Sequence, residues 1–154
     1  MKLYKILKDG TCEADVYYES ETLEKILETY RCMYKAVGYE EPWVAYVAFH
    51  GYDVAGTCAF KSRPQQGSVE IAYYTFPPYQ GRGIGSRMVT ALMEIARGED
   101  PSIIIVVRVV GGDTPANSIL KKFGFKLVTT ETASDGEAEI WEWHLLPENN
   151  LQLN

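Results

Sequence analysis

The segment from Gln80 to Gly85 contains three glycines in six residues and leads directly into apolar residues at helical spacing. Glycine lets a backbone approach a ligand closely and take up φ angles that other residues avoid. The first turn of a helix also exposes backbone N–H groups at the positive end of the helix dipole, where a phosphate is favoured. This segment is therefore predicted to bind a phosphate-containing ligand.

The spacing of the glycines excludes two common phosphate-binding loops. A dinucleotide loop needs G-x-G-x-x-G, but counting from Gly81 and Gly83 the third position is Ser86, and no acidic residue ends a following strand. A nucleoside triphosphate loop needs G-x-x-x-x-G-K-S/T, and no lysine followed by serine or threonine comes after these glycines. The ligand is therefore expected to be another phosphate compound.

A second set of candidate residues lies on the β-rich run before the loop. Alternation along a strand places Glu70 on one face with Ala72, Tyr74 and Phe76, and apolar surroundings of this kind suit a general base. The alternatives for Glu70 are an edge position in solvent or a structural salt bridge. Three neighbouring tyrosines are candidates either for the lining of a reacting site or, as is commoner on central strands, for the core: Tyr73, Tyr74 and Tyr79.

Gln80, Gly83 and Gly85 match the pattern Gln/Arg-x-x-Gly-x-Gly/Ala at a strand-to-helix junction. In this the chain resembles the GNAT superfamily of acetyl-coenzyme A-dependent N-acetyltransferases. The run that begins at Glu70 is similar to the branch containing ribosomal-protein N-terminal acetyltransferases, in which Glu-Ile-Gly-Tyr is followed by a proline and then by Tyr-Gln-Gly-x-Gly. Ala72 replaces the first glycine of that pattern.

A second stretch, residues 115–125, resembles the other motif of the family, an asparagine-bearing helix that runs into Leu-x-Lys-x-Gly-Phe. The resemblance covers roughly residues 43–146, with both motifs in the expected order. Asn117 in this stretch is a candidate either for a pantetheine contact or for a helix-capping role, and Asp113 is expected to cap the helix.

The resemblance implies how acetyl-coenzyme A would be bound. The pantetheine arm would lie between the strand around Tyr74 to Phe76 and the next strand, bonded to the backbone like an added strand. The pyrophosphate would rest on the N–H groups of Arg82 to Ser86, and no metal is implied. The residues implied in coenzyme binding are Thr75, Phe76, Gln80, Gly81, Arg82, Gly83, Ile84, Gly85, Ser86 and Asn117.

The resemblance also implies direct transfer of the acetyl group, in which a neutral amine attacks the thioester. Glu70 would be the general base, Tyr74 a further catalytic residue, and a backbone N–H near Thr75 or Phe76 the donor to the oxyanion. Many relatives carry a tyrosine that protonates the departing thiolate, but the matching residue here is Leu120. The alternative function is therefore an acyl-coenzyme A-binding sensor or interaction module without catalysis.

The apolar pattern predicts the elements that would hold these residues. In chain order it predicts a helix over 21–37, strands over 43–49, 54–60 and 68–76, a helix from 84 to a stop at Gly98, a central strand over 103–110, a helix over 115–123, and strands over 125–130 and 138–145. Together with the resemblance, this order implies an α/β (α+β) fold: three GNAT-like layers with a mixed, mostly antiparallel sheet of six to seven strands flanked by helices.

The length of 154 residues suits one domain over 1–154, in which residues 1–20 are either a leading strand or an arm and residues 147–154 a short tail. The net charge of -6 with no basic patch argues against nucleic acid or an anionic membrane as partner. Three widely spaced cysteines and the lack of a long apolar run favour a reduced, cytoplasmic protein.

Acidic residues cluster around the segment that relatives use for the wall of the acceptor site. They favour a cationic acceptor such as a peptide N-terminus or a polyamine, although a solvated helix face explains them equally well. A homodimer is also considered, because Trp141, Trp143 and Leu145 could face a partner, although core is the more usual place for such residues. The acidic residues are Glu13, Asp15, Glu19, Glu21, Glu24, Glu28, Glu40 and Glu41.

Overall fold

The computed structural model describes residues 1–14, 21–134, 136 and 138–147, and the predictions that concern the remaining positions, including Asp15 and Glu19, lie outside these residues. The predicted order of helices and strands is confirmed, and the leading segment forms a strand. The elements are β1 Lys2–Lys5, α1 Glu21–Val37, β2 Ala45–His50, β3 Asp53–Phe60, β4 Ser68–Thr75, a 3-10 turn Pro77–Tyr79, α2 Ile84–Glu99, β5 Ile104–Val110, α3 Pro115–Lys122, β6 Lys126–Thr132 and β7 Glu139–Leu145.

The seven strands form one sheet in the order β1-β2-β3-β4-β5-β7-β6. All neighbouring pairs are antiparallel except β4 and β5, which are parallel because α2 crosses over between them. The prediction of a mixed, mostly antiparallel sheet is confirmed. The parallel pair lies in the middle of the sheet, next to the end of β4 where the glycine loop begins.

The helices lie on both faces of the sheet. Gly56 of β3 faces Met88 of α2, whereas its neighbour Thr57 bonds with Tyr30 of α1. Successive strand residues point to opposite faces, so α1 and α2 cover different faces. Helix α3 lies beside α2, since Ile119 is close to Gly85 in the first turn of α2. The three-layer prediction is therefore confirmed.

Helix α1 is attached to the sheet through its apolar stripe and one tyrosine. Leu23, Leu27 and Tyr34 are buried at helical spacing. The Tyr34 hydroxyl donates to the Ile6 carbonyl at 2.8 Å and accepts from the Ala45 N–H at 2.9 Å. Because these two groups lie at the ends of β1 and β2, one side chain joins the helix to both strands.

Two details differ from the prediction. Gly98 followed by Pro101 was expected to supply the stop of α2, and the helix ends one residue beyond the glycine, at Glu99. Helix α3 is capped by the Thr114 hydroxyl, which accepts from the Asn117 N–H at 3.2 Å, and not by Asp113. Among the described residues no helix is long and apolar enough to cross a bilayer.

Candidate active site

The strands β4 and β5 pair over only four residues each, from Ser68 with Ile104 to Ile71 with Val107. Beyond this point β5 remains paired with β7, while β4 remains paired with β3. Both inner strands therefore continue side by side without pairing to each other. The result is a gap in the middle of the sheet.

The side of the gap formed by β4 presents unpaired backbone groups. The Glu70 carbonyl accepts from Lys61 and the Phe76 N–H donates to Ala55, both at 2.9 Å, so the even-numbered residues of β4 bond to β3. By the alternation of an antiparallel ladder, the backbone groups of Tyr73 and Thr75 point the other way, into the gap. Phe76 does not contribute a free N–H, and its side chain is buried.

The gap opens into a cavity of about 570 Å³ that extends under the glycine loop to the start of α3. Nine of the sequence-predicted residues line it, whereas Glu70, Phe76, Arg82, Ser86 and Asn117 do not. Its lining consists of Tyr73, Tyr74, Thr75, Tyr79, Gln80, Gly81, Gly83, Ile84, Gly85, Thr114, Pro115, Ala116 and Ile119.

The glycine loop leaves the start of α2 open. Gly81 and Gly83 have φ angles of 78° and 77°, a left-handed conformation that glycine adopts without strain. Gly83 caps α2 but has no side chain to bond the first-turn N–H groups, and that turn carries no acidic residue. Gln80 Nε2 donates to the Thr75 carbonyl at 3.3 Å, which fixes the loop against the end of β4. These free donors and the helix dipole form an anion site.

Two tyrosines lie at the gap on opposite faces of β4. Tyr73 is half-buried on the α2 side, and its hydroxyl is 3.5 Å from the Ala116 carbonyl at the start of α3. Burial raises the pKa of Tyr73 to about 12, so its hydroxyl is protonated at neutral pH. Tyr74 is exposed and packs edge-on against Phe76, with ring centroids 5.6 Å apart. Tyr73 is thus the better placed hydroxyl donor within the cavity.

The Asn117 side chain is used inside the protein. Its Nδ2 donates to the carbonyls of Val110 and Gly112 at 3.0 and 2.8 Å, and its Oδ1 accepts from Trp143 Nε1 at 2.8 Å. These bonds hold the β5–α3 loop against β7. The family pattern points to this asparagine, but its amide hydrogens face the protein and not the cavity.

Replacing Asn117 with alanine is expected to destabilise the fold by about 2 kcal/mol, because the buried Trp143 N–H and two loop carbonyls lose their partner. Urea unfolding followed by tryptophan fluorescence measures this change. Ser118→Ala, on the exposed face of the same helix, is the control and should change the unfolding free energy by less than about 0.5 kcal/mol. Equal effects of the two substitutions would contradict the structural role.

Glu70 lies outside this cavity, on the face of the sheet that α1 shares. It borders a separate cavity of about 270 Å³, here called the polar hollow, whose charged lining is Arg63, Glu70, Arg108, Glu142 and His144. The prediction of apolar surroundings for Glu70 is therefore wrong. Arg63 lies on the loop between β3 and β4, and the other three neighbours of Glu70 in this lining come from β5 and β7, which pair beside β4 but follow it in the sequence.

The nearest partner of Glu70 is Lys61, whose Nζ is 2.9 Å from Oε2. This contact does not have the geometry of a hydrogen bond, and the enclosed Oε2 atom accepts none from the described residues. The salt-bridge alternative is therefore present in the structure. The other oxygen, Oε1, is not enclosed and accepts no hydrogen bond from the described residues, so it is open to a donor from a ligand.

Glu142 contacts an arginine and a histidine at the far side of the polar hollow. Arg108 Nε is 2.7 Å from its Oε1, and His144 Nε2 is 2.7 Å from its Oε2. Burial alone would raise the pKa of Glu142, but the hydrogen bonds from His144 and Arg108 outweigh burial and leave that pKa below its ordinary value. Glu142 is therefore an anion at neutral pH that fixes both neighbours.

The gap in the sheet and the glycine loop open into one cavity. This arrangement suits a phosphate-bearing ligand that lies in the gap like an added strand. A family model described as "Acetyltransferase (GNAT) family" matches residues 6–125. The chain therefore belongs to the GNAT family of acetyltransferases. It is an acetyl-coenzyme A-dependent N-acetyltransferase.

Solved structures with the same fold include RimL, a ribosomal alpha-N-protein acetyltransferase in complex with coenzyme A, with 18% identity and a TM-score of 0.66 over 84% of this chain and 74% of that one. An acetyltransferase from Salmonella typhimurium described as modifying the N-terminal serine of a ribosomal protein has 18% identity and a TM-score of 0.63, covering 86% and 77%. The acetyltransferase yncA from the same organism, with acetyl-CoA, has 15% identity and a TM-score of 0.62, covering 88% and 78%. No curated protein sequence matches the chain.

Sequence reasoning missed part of the cavity lining. Pro115, Ala116 and Ile119 belong to the second motif and Thr114 directly precedes it, so their position at the start of a predicted helix was the available signal. A search for residues with a chemical role favours polar side chains, whereas this end of the cavity is formed mostly by small and apolar ones. Such residues leave room for a ligand and are typical of pocket walls.

Proposed function

We propose that the cavity of about 570 Å³ binds acetyl-coenzyme A, with the pyrophosphate at the start of α2 and the pantetheine in the gap between β4 and β5. The observation that carries this proposal is that the gap and the open helix N-terminus share one cavity. The backbone groups of Tyr73 and Thr75 would bond the pantetheine as a neighbouring strand does. Arg82 and Ser86, which do not line the cavity, would act through their backbone N–H groups.

The amine would approach the thioester from the face opposite α2, where Glu70 and Tyr74 lie. Glu70 would take the proton from the amine, directly or through a water molecule. The oxyanion would accept from the N–H of Tyr73 or Thr75, because the N–H of Phe76 is already donated to Ala55. No covalent enzyme intermediate is required.

The departing thiolate needs a proton source other than the usual family tyrosine, because Leu120 occupies the position of that tyrosine. The Leu120 side chain is fully buried in the core. Tyr73 lines the cavity, and burial raises its pKa to about 12, so its hydroxyl is protonated at neutral pH. A thiol whose pKa is about 8.5 can also leave as the thiolate, without a strong acid to protonate it. Tyr73 would therefore assist the step and not be essential to it.

The substitution Tyr73→Phe is expected to lower kcat about tenfold and to leave the KM for acetyl-coenzyme A within about twofold, because only the hydroxyl is lost. Release of free thiol measures both constants. Tyr52→Phe, which removes an exposed hydroxyl in the β2–β3 turn, is the control. An unchanged kcat for Tyr73→Phe would show that the thiolate leaves without help from this residue.

The proposed function is tested by calorimetry with acetyl-coenzyme A, NAD and ATP, followed by thiol release with a panel of primary amines. Binding of the acetyl donor and thiol release with an amine are the expected results. Binding without turnover would favour the sensor or interaction module. Binding of NAD or ATP in place of the coenzyme would overturn the assignment of the cavity.

The charge of the acceptor, the oligomeric state, the domain bounds and the cellular location of the enzyme remain predictions. Two of the acidic residues that suggested a cationic acceptor are paired, Glu28 with Arg31 and Glu41 with Lys5, which weakens that suggestion. A homodimer would be formed most simply through the edge strand β6, where Leu127 is exposed. One domain over the whole chain and a cytoplasmic location also remain predictions.

A further inference from the structure

The polar hollow contains guanidinium groups with unused donors. Arg108 bonds Glu142 through Nε alone, so its two terminal nitrogens have no partner among the described residues. Arg63, on the loop between β3 and β4, is exposed, and its side chain likewise has no partner in the described part of the chain. Guanidinium groups with free donors match the geometry of a carboxylate or a phosphate.

The same hollow contains an acceptor without a donor. Oε2 of Glu70 is enclosed and lies 2.9 Å from Lys61 Nζ, whereas Oε1 is not enclosed and receives no hydrogen bond from the described residues. An ammonium group offers three N–H donors and would satisfy Oε1. The hollow therefore has a place for a positive group and a place for a negative one.

The two glutamates of the polar hollow favour a carboxylate over a phosphate as the negative group of the ligand. Glu70 and Glu142 both line the hollow, and each would repel a phosphate dianion more strongly than a single carboxylate. The volume of about 270 Å³ falls just below the range of roughly 300 to 1,000 Å³ that is typical of pockets for drug-sized ligands. A compact zwitterion fits both the charges and the size better than a polyamine or a peptide does.

We infer that the polar hollow binds the acceptor amine as an α-amino acid or a close analogue, with its ammonium at Glu70 and its carboxylate at Arg63 and Arg108. This inference rests on the proposed function, because the amine held at Glu70 is the one that is acetylated. Glu70 removes one proton from the ammonium, and the nitrogen then forms a bond to the acetyl carbon. The carbon–sulfur bond breaks, the second proton passes to the thiolate, and the product is an N-acetyl amino acid.

The first test compares each standard amino acid with its own amide, and with spermidine, as acceptors for the full chain. Thiol release and calorimetry in the presence of coenzyme A provide independent readouts of turnover and binding. At least one amino acid is expected to have a kcat/KM about tenfold or more above that of its amide, which corresponds to one charge-assisted contact. Equal use of amino acids and amides, or a preference for spermidine, would overturn the inference.

The second test uses variants of the two arginines. Arg63→Gln is expected to raise the KM for the amino acid about tenfold, to leave the KM for acetyl-coenzyme A unchanged and to abolish the preference over the amide. Arg108→Gln should act in the same way, and Arg108→Lys, which retains the charge and the β5–β7 contact, should recover part of the affinity. Lys2→Gln removes the same charge from an exposed position on the edge strand β1 and is the control.

The outcomes separate this inference from the proposed function. Turnover of amines that lack a carboxylate, with no effect of Arg63→Gln, would overturn the amino-acid acceptor and leave the acetyltransferase assignment standing. Binding of inorganic phosphate that is lost in Arg63→Gln, without binding of any amino acid, would also overturn it. Binding of acetyl-coenzyme A without thiol release for any acceptor would overturn both.

Discussion

Replacing Glu70 with glutamine is expected to lower kcat by about 10² to 10⁴, because glutamine keeps the shape of the side chain but cannot accept the proton of the amine. The KM for acetyl-coenzyme A should remain unchanged, since Glu70 borders the polar hollow and not the coenzyme cavity. The acidic limb of the pH–rate profile, which reports the protonation of the essential base, should disappear. Thiol release from pH 5 to 9 measures all three effects.

The matched control is Glu94→Gln, which removes the same charge from an exposed position on α2. The fold should survive the substitution of Glu70, because the partially exposed pair with Lys61 contributes at most about 1 kcal/mol. If Glu70→Gln retained wild-type kcat and pH profile and changed only the unfolding free energy, Glu70 would be a structural partner of Lys61 and the base would have to be found elsewhere.

Local patterns were sufficient to predict most of the fold. The apolar stripe of α1, the glycine loop before α2 and the β-branched run of β5 each lie within one short segment, where periodicity and turn residues determine the element. The boundaries were less certain. Gly98 followed by Pro101 was expected to supply the stop of α2, which ends one residue past the glycine, because a single glycine lowers helix stability only modestly whereas Pro101 cannot continue a helix.

The surroundings of the candidate catalytic residues could not be predicted in the same way. Glu70 has Ala72 and Tyr74 as strand neighbours, but its ion-pair partner is Lys61. The polar hollow that it borders is also lined by Arg108, Glu142 and His144, which the pairing of β4, β5 and β7 brings there. That order of strands is a non-local property of the chain. An argument from alternation can therefore assign a residue to a face without identifying what that face contains.

Asn117 illustrates the opposite error. The family motif drew attention to it as a ligand contact, yet its partner Trp143 lies on a strand that pairs far along the chain. Among the three candidate tyrosines the sequence favoured Tyr74 as a catalytic residue, whereas the contacts of Tyr73 on the α2 face of β4 favour Tyr73. The motifs thus pointed to the candidate site. The three-dimensional contacts were needed to tell which of its residues face the cavity and which support the fold.

The substitution Gly83→Asp is expected to weaken the binding of acetyl-coenzyme A by about 10² or more relative to Gly83→Asn. Asparagine and aspartate are the residues that best tolerate the left-handed φ of 77° at this position, and both are good helix N-caps. The two variants therefore differ mainly in charge. A carboxylate about 4 Å from the pyrophosphate would cost roughly 4 kcal/mol at the effective dielectric constant of a protein surface.

Calorimetry of the two variants, with Gly38→Asp as a control at the remote end of α1, isolates the effect of the charge. Gly38 also has a positive φ, of 96°, so it receives the same aspartate in a similar backbone conformation without an anion nearby. The difference between Gly83→Asp and Gly83→Asn should shrink at high salt, because the site is open to solvent and its charges are screened. Equal affinities of the two Gly83 variants at low salt would mean that the pyrophosphate does not rest at the start of α2, and the coenzyme would then have to occupy the gap between β4 and β5 without this anchor.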